Sequence, residues 1–153
     1  NISDKSLKYL SQTLIKSTCL QSINLNFAGC EEITDQGFED LGQSLQRLRL
    51  LKSLNLNFGF NKNITNDDRG NLPKCLQKLH SLQSLNLDFP GCWLTTDESL
   101  GNLSKGLEGL NCLKSLKVNF LSCWDITDKG LNYISESLKE MTALHDIILN
   151  FSL

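Results

Sequence analysis

A repeat of 31 residues dominates this sequence and constrains the fold more than any other feature. Four apolar positions recur at that spacing without a slip, starting at Leu20, Ile23, Leu25 and Phe27. The last of these positions is phenylalanine in every copy: Phe27, Phe58, Phe89, Phe120 and Phe151. A fixed period of this length is typical of architectures that stack one structural unit several times. The 153 residues hold just under five copies.

The hydrophobic period changes within each copy. From Ile23 to Phe27 apolar residues alternate with asparagine, which predicts a strand with one buried face. From Phe38 to Leu48 the apolar residues are three or four positions apart, which predicts an amphipathic helix. We place the five strands near residues 22–27, 53–58, 84–89, 115–120 and 146–151.

A helix start signal follows each of the first four strands and also stands near the start of the sequence. The pairs fall in phase: Ser3-Asp4, Thr34-Asp35, Thr65-Asn66, Thr96-Asp97 and Thr127-Asp128. Side chains of this kind accept hydrogen bonds from the free amides of the first helical turn, but the pattern leaves open which residue of each pair is the cap. In the second copy Arg69 replaces an apolar residue and Pro73 follows Leu72. We therefore expect that helix to begin late or to be irregular.

The copies must stack, because one strand–helix unit cannot bury its apolar face alone. Like strands then lie parallel in one sheet, with the helices on one side. Strands lie about 4.8 Å apart and packed helices about 8–10 Å apart, so each unit rotates by roughly 20–25°. The predicted fold is α/β: a solenoid with a curved parallel sheet on the concave side and helices on the convex side.

Residues 1–153 form a single array in this prediction. Its terminal copies would expose apolar residues such as Leu149 and Phe151, whereas natural solenoids shield their ends. We therefore expect the array to belong to a longer one.

The repeat resembles the leucine-rich repeat family, and in particular its ribonuclease-inhibitor-like branch, whose long repeats carry a full helix. The shared L-x-x-L-x-L element stands here as Leu51-Lys52-Ser53-Leu54-Asn55-Leu56. The family's Cys or Asn in the turn after the strand corresponds to Cys30, Asn61, Cys92 and Cys123. In this chain the phenylalanine lengthens the strand, and the Cys falls two residues later than in the family pattern.

Two further likenesses concern the loop and the repeat length. The Ile-Thr-Asp-x-Gly runs at 33–37 and 126–130 resemble the cysteine-containing repeats of F-box proteins. Tandem repeats of similar length with an L-x-L-x-L strand occur in ciliate proteins, some of which are attached to kinase domains. The resemblance implies a leucine-rich-repeat solenoid whose inner face binds a partner.

Composition and motifs argue against several classes of function. With 15 basic and 17 acidic residues the net charge is -2, so the basic footprint of a nucleic-acid partner is missing. The apolar runs are far shorter than the roughly 20 residues of a membrane span, so we expect no membrane insertion. No Gly-rich phosphate loop, H-E-x-x-H or G-x-S-x-G occurs, so we predict neither catalysis nor a cofactor. Without a C-x-x-C pair, a metal site is not expected either.

The six cysteines favour an intracellular, reducing compartment. Cys30, Cys92 and Cys123 share one position of the repeat, and Cys19 and Cys112 share another, which indicates packing. A disulfide between Cys92 and Cys123 is geometrically possible, but buried thiols are the favoured interpretation. Four N-x-S/T sequons argue against an intracellular location, although only the one at Asn63 falls in a predicted loop. We place the protein in the cytoplasm, with the cytoskeleton or a cilium as narrower possibilities.

Two surfaces are candidate binding sites. The solvent-facing strand positions form a nearly neutral ladder of Asn and Ser, which bonding between neighbours on an exposed sheet would explain without any partner. The ladder is broken at Asp88, Lys117, Asp146 and Ile148, and we predict that these residues contact a partner. Solenoids commonly bind through this inner face.

Trp93 and Trp124 form the second candidate. They occupy one position of the loop after the strand, where other copies hold Glu31 and Lys62, so the fold does not require an aromatic residue there. Tryptophan is enriched at interface hot spots, and the two side chains could anchor a partner. The alternative is that they pack on each other or on the adjacent loop.

These features predict a non-catalytic protein–protein interaction module, or scaffold segment, of a larger leucine-rich-repeat protein. The alternatives are the regulatory or substrate-recognition repeats of an enzyme, such as a kinase or a ubiquitin ligase, and a structural component of a cytoskeletal or ciliary assembly.

Overall fold

The computed structural model describes residues 1–64, 72–92 and 94–152. Five strands form one parallel sheet in chain order: β1 (Ser22–Asn26), β2 (Ser53–Asn57), β3 (Ser84–Asp88), β4 (Ser115–Asn119) and β5 (Asp146–Asn150). A helix precedes each strand: α1 (Asp4–Leu14), α2 (Asp35–Leu45), α3 (Leu72–Leu76), α4 (Asp97–Leu107) and α5 (Asp128–Leu138). The chain is therefore α/β, with strands and helices alternating as the sequence predicts.

Neighbouring strands pair in the register set by the 31-residue repeat. Leu54 lies between Ile23 and Leu85. Each strand ends one residue earlier than predicted, because the phenylalanine falls just outside it. The phenylalanine amides nevertheless extend the ladder, and the Phe58 N–H donates to the Asp88 carbonyl at 2.8 Å. A slip of one residue would turn every leucine toward solvent.

One face of the sheet is buried against the helices in a single hydrophobic cluster. The phenylalanines form a column through it: ring centroids lie 6.0 Å apart between Phe58 and Phe89 and 5.8 Å apart between Phe89 and Phe120. Phe38 from α2 meets Phe58 and Phe89 edge-on at 5.0 and 6.0 Å. The rings at 58, 89 and 120 are at most 1% exposed, which confirms that this position faces the core.

The helices pack against one another in chain order. One close approach involves Gly106 of α4, where a Cβ atom would lie 2.6 Å from the Cα of Pro73 in α3. The glycine thus lets two backbones meet. The predicted late start of this second-copy helix falls on residues 65–71, including Arg69, which lie outside the described residues.

In the four start-signal pairs that the structure describes, the first residue is the helix N-cap. Ser3, Thr34, Thr96 and Thr127 hold this position, which resolves the question that the sequence left open. At two unit boundaries the aspartate after the cap, Asp4 or Asp97, bonds to the start of the following helix.

Asp4 bonds to the start of the neighbouring helix. Its Oδ1 accepts from the Thr34 N–H at 2.8 Å and from the Gly37 N–H at 3.1 Å, and its Oδ2 accepts from the Thr34 hydroxyl at 2.8 Å. Asp97 makes the same three bonds, to Thr127 and Gly130, at 2.7–2.9 Å. We call this arrangement the aspartate clamp. It joins consecutive units through side chains, in addition to the sheet ladder.

Candidate functional site

The strand face consists of the solvent-facing side chains of β1–β5, at the first, third and fifth position of each strand. The register aligns them in three rows: Ser22, Ser53, Ser84, Ser115 and Asp146; Asn24, Asn55, Asn86, Lys117 and Ile148; and Asn26, Asn57, Asp88, Asn119 and Asn150. The predicted ladder is therefore present. Its four irregular members lie on three adjacent strands.

The third row has a local structural purpose. The Oδ1 of Asn57 accepts the Gly59 N–H at 2.9 Å, and those of Asn26, Asn119 and Asn150 accept the N–H two residues onward in the same way. Asp88 cannot do so, because the residue two positions on is Pro90, which has no N–H. Its Oδ1 instead accepts from the Asn119 Nδ2 at 2.6 Å. The break in the ladder at Asp88 thus has a backbone explanation.

Asp146 also has an internal partner. Its Oδ2 accepts from the Ser115 hydroxyl at 2.9 Å. A partner at this site would have to compete with a neighbouring side chain that already holds one carboxylate oxygen.

Lys117 and Ile148 are neighbours in the middle row. Both side chains are exposed, Ile148 by 50%, and among the described residues Lys117 forms no salt bridge. In the same row Asn86 donates from Nδ2 to the Oδ1 of Asn55 at 2.9 Å. The pair thus places an ammonium without a salt bridge beside an apolar side chain, in a row where β2 and β3 hold two hydrogen-bonded asparagines.

The loop edge consists of the loops that follow β1–β4. Trp124 lies on it with 65% of its surface exposed, whereas Glu31 and Lys62, at the same position of other units, form a salt bridge of 3.5 Å. Trp93 lies outside the described residues, so the predicted neighbour of Trp124 is not described. Leu94 adds a further exposed apolar side chain to this edge, at 48%.

Phe60 is an exposed residue of the loop edge that our sequence analysis missed. It is 58% exposed and has a φ of 60°, a left-handed conformation that is unusual for a bulky residue. A signal was present: the equivalent residues in two other units are Gly29 and Gly91, with φ of 70° and 64°. A phenylalanine at a position that favours glycine contributes aromatic surface at a cost in backbone strain.

The cysteine position after the strand has a packing role. The Cys92 and Cys123 thiols donate to the carbonyls of Phe58 and Phe89 at 3.4 and 3.5 Å, and Asn61 makes the corresponding bond to Phe27 at 2.9 Å. Burial raises the pKa of Cys92 to about 12 and also raises the pKa of Cys123. These thiols are therefore protonated and unreactive at neutral pH.

The remaining cysteines differ among themselves, and all six are free thiols. Burial raises the pKa of the Cys75 thiol. Cys19 and Cys112 are exposed, so our packing interpretation is wrong for that shared position, which lies in the turn before the strand.

A cleft of about 620 Å³ lies along the surface where α4 packs against α5 and is lined by residues of both charges, among them Glu98, Lys105, Lys129 and Glu136. It lies on the helical side, remote in the fold from the strand face. Within the described ranges, no three His, Cys, Asp or Glu side chains are grouped to hold a metal ion. No helix in that part of the chain is long and apolar enough to span a bilayer.

A scan against models of protein families and a search of curated proteins find no match to this sequence. What the strand face and the loop edge offer is recognition by shape, hydrogen bonding and apolar contact.

Proposed function

We propose that this chain is a non-catalytic protein–protein interaction module, a leucine-rich-repeat solenoid of the ribonuclease-inhibitor-like type. The parallel sheet in chain order and the helices packed in the same order support this fold. Helices need more lateral space than strands, so the strands would line the concave side and the helices the convex side. The strand face and the loop edge would then form one binding surface.

The exposure of Trp124 is the observation that carries this proposal. Its position does not need an aromatic side chain, since Glu31 and Lys62 occupy it elsewhere and bond to each other. A tryptophan that stays 65% exposed contributes little to folding. Burying this side chain against a partner would stabilise the complex in proportion to the apolar area removed from water.

The arrangement of the units supports binding with little loss of entropy. Lys117 and Ile148 are held on adjacent strands of a sheet whose backbone is bonded along its length. A backbone already ordered beneath the binding side chains lowers the ordering cost of association. The partner would present an acidic or polar group to Lys117 and apolar surface to Ile148, and we place the module in the intracellular, reducing environment that suits free buried thiols.

The test begins by replacing Trp124 with a photo-crosslinking amino acid in the full-length protein, with the same replacement at Tyr9 as control. Tyr9 lies on α1 and is 58% exposed. It is therefore about as exposed as Trp124 but lies on a helix and not on the loop edge. We expect one protein to cross-link from position 124 and not from position 9.

The Trp93→Ala/Trp124→Ala double variant then measures the contribution of the loop edge. We expect its affinity for the cross-linked protein to fall at least tenfold, about 1.4 kcal/mol, as for interface hot spots. Tyr9→Ala should leave the affinity unchanged. An unaltered dissociation constant in the double variant, measured by titration calorimetry, would show that the loop edge is not the binding site.

A further inference from the structure

The charged residues of this chain are unevenly distributed between the two edges of the sheet. The segments that join each helix to the next strand, here called the return turns, are residues 15–21, 46–52, 77–83, 108–114 and 139–145. They hold seven of the 15 Lys and Arg residues but two of the 17 Asp and Glu residues. The net charge of -2 therefore conceals a basic edge on an otherwise acidic chain.

The return turns lie side by side and are bonded to one another. The Lys52 N–H donates to the Gln21 carbonyl, and the Gln83 N–H donates to the Lys52 carbonyl, both at 2.8 Å. The Lys114 N–H donates to Gln83 in the same way, also at 2.8 Å. Because the five strands are parallel, all the return turns lie at the opposite end of the strands from the loop edge. Neighbouring turns are about 4.8 Å apart where the strands begin.

The first three return turns form a patch of positive charge. They contain no Asp or Glu, and among the described residues their Lys and Arg side chains form no salt bridge. All of these side chains are exposed. We call this set the basic patch: Lys16, Arg47, Arg49, Lys52 and Lys78. Like charges held close together repel one another, and no acidic side chain of these turns relieves that repulsion.

The helix ends account for a part of this charge and not for all of it. The C-terminus of a helix carries a partial negative charge that favours a nearby cation, and Lys16, Arg47 and Lys78 share the second position after their helices. The equivalent residues of the fourth and fifth units are glycine and glutamate, so the fold does not require a cation at this position. The effect of the helix also fades within about one turn, whereas the basic patch continues through Arg49 to Lys52, at the start of the strand.

An exposed apolar side chain lies within the basic patch. Leu50 is 53% exposed and stands between Arg49 and Lys52 in the sequence. The equivalent residue of the next unit is Ser81, so the core does not require leucine at this position. Cations combined with exposed apolar side chains are what segments that bind at a bilayer surface present, because the cations meet anionic lipids while the apolar groups enter the headgroup region.

We infer that the basic patch is a docking surface for the anionic phospholipids of a membrane. Charge complementarity requires an anionic occupant, and the exposed Leu50 favours a bilayer, which has an apolar layer beneath its headgroups, over the phosphate backbone of a nucleic acid. The return turns also contain no Phe, Tyr or Trp on which the bases of a single strand could stack.

The arrangement of the return turns suits a flat surface. Turns bonded in a row present their cations along one edge of the molecule, so several cations reach a bilayer at the same time. The cytoplasmic leaflet carries anionic lipids, which agrees with the intracellular location proposed above. The chain would lie on the membrane surface and leave the loop edge, at the far end of the strands, open to its own partner.

Cosedimentation of the protein with lipid vesicles at physiological ionic strength tests the basic patch. We expect binding to vesicles of phosphatidylcholine with about 30% phosphatidylserine, an anionic lipid, and none to pure phosphatidylcholine. Each cation near an anionic bilayer contributes about fivefold to affinity, so Arg47→Gln/Arg49→Gln should weaken binding about 25-fold. Leu50→Ala should weaken binding severalfold without any change of charge.

Lys8→Gln/Lys129→Gln is the matched control. It removes two exposed cations that lie outside the return turns. Charges farther from the bilayer than the Debye length of about 8 Å are largely screened, so we expect the control to bind the anionic vesicles as the unmodified protein does. Circular dichroism of each variant checks that it is folded.

Four results would overturn membrane docking. The protein could fail to bind the anionic vesicles, which would leave an acidic protein as the occupant of the basic patch. The control could weaken binding as much as Arg47→Gln/Arg49→Gln, which would mean that total charge decides. Unchanged binding of Leu50→Ala would leave ionic attraction alone. Tighter binding to an oligonucleotide than to vesicles, lost in the arginine variant, would assign the patch to nucleic acid. None of the substituted residues lies on the loop edge, so the proposed function keeps its own test.

Discussion

Phe89→Ala is expected to lower the free energy of unfolding by about 3–5 kcal/mol, the usual cost of removing a buried phenylalanine from a core. Phe89 is 1% exposed, and its ring contacts those of Phe58, Phe120 and Phe38. Because the three neighbours belong to three different units, the cavity would open at the centre of the shared core. A loss of this size is a large fraction of the stability of an ordinary domain.

Urea unfolding followed by far-ultraviolet circular dichroism measures this loss. Phe60→Ala is the matched control, since it removes the same ring from a site that is 58% exposed. We expect the control to change stability by less than about 0.5 kcal/mol, as surface substitutions do. Equal effects of the two substitutions would mean that Phe89 does not lie in a common core.

Gly106→Ala is expected to destabilise the protein by about 1–3 kcal/mol, the usual cost of overpacking. The added methyl group would lie 2.6 Å from the Pro73 Cα and 3.0 Å from its carbonyl oxygen. These are backbone atoms, so no side-chain rotation can relieve the overlap. Either α4 moves away from α3, or the turn containing Pro73 is displaced.

Gly101→Ala is the control within the same helix. The nearest atoms to its new methyl group would belong to the ring of Tyr133, at 3.3 Å, and this residue is 37% exposed, so a side chain rather than a backbone would have to move. Replacing glycine by alanine in a helix gains up to about 1 kcal/mol, so we expect stability to stay level or to rise. Thermal unfolding of both variants gives the comparison, and a Gly106→Ala protein as stable as Gly101→Ala would refute the close approach of the two helices.

The sequence predicted the fold closely, because each local signal agreed with the repeat. The alternation around Leu54 set the buried face, and the 31-residue spacing set the register with Ile23 and Leu85. Each strand was predicted one residue too long, because a buried phenylalanine gives the same hydrophobic pattern whether it ends a strand or directly follows one. The curvature of the sheet and the leucine-rich-repeat assignment stay predictions.

The candidate site was less accessible to sequence reasoning. Asp88 stood out as a break in the ladder, yet its difference follows from Pro90, which removes the amide that asparagine accepts elsewhere. Phe60 was overlooked because sequence patterns do not show exposure, although two glycines in phase gave the backbone signal. The aspartate clamp was invisible for a different reason: its atoms belong to different units, so only three-dimensional stacking brings Asp97 to Gly130.

The most direct test of the account is an NMR measurement on protein with labelled phenylalanine and leucine. Stacked, in-register units predict nuclear Overhauser contacts between the rings of Phe58 and Phe89 and between those of Phe89 and Phe120. They also predict backbone contacts of the parallel type between Leu54 and Leu85. An antiparallel pattern between β2 and β3, or rings at 58 and 89 that contact only solvent, would contradict the shared core on which every proposal here depends.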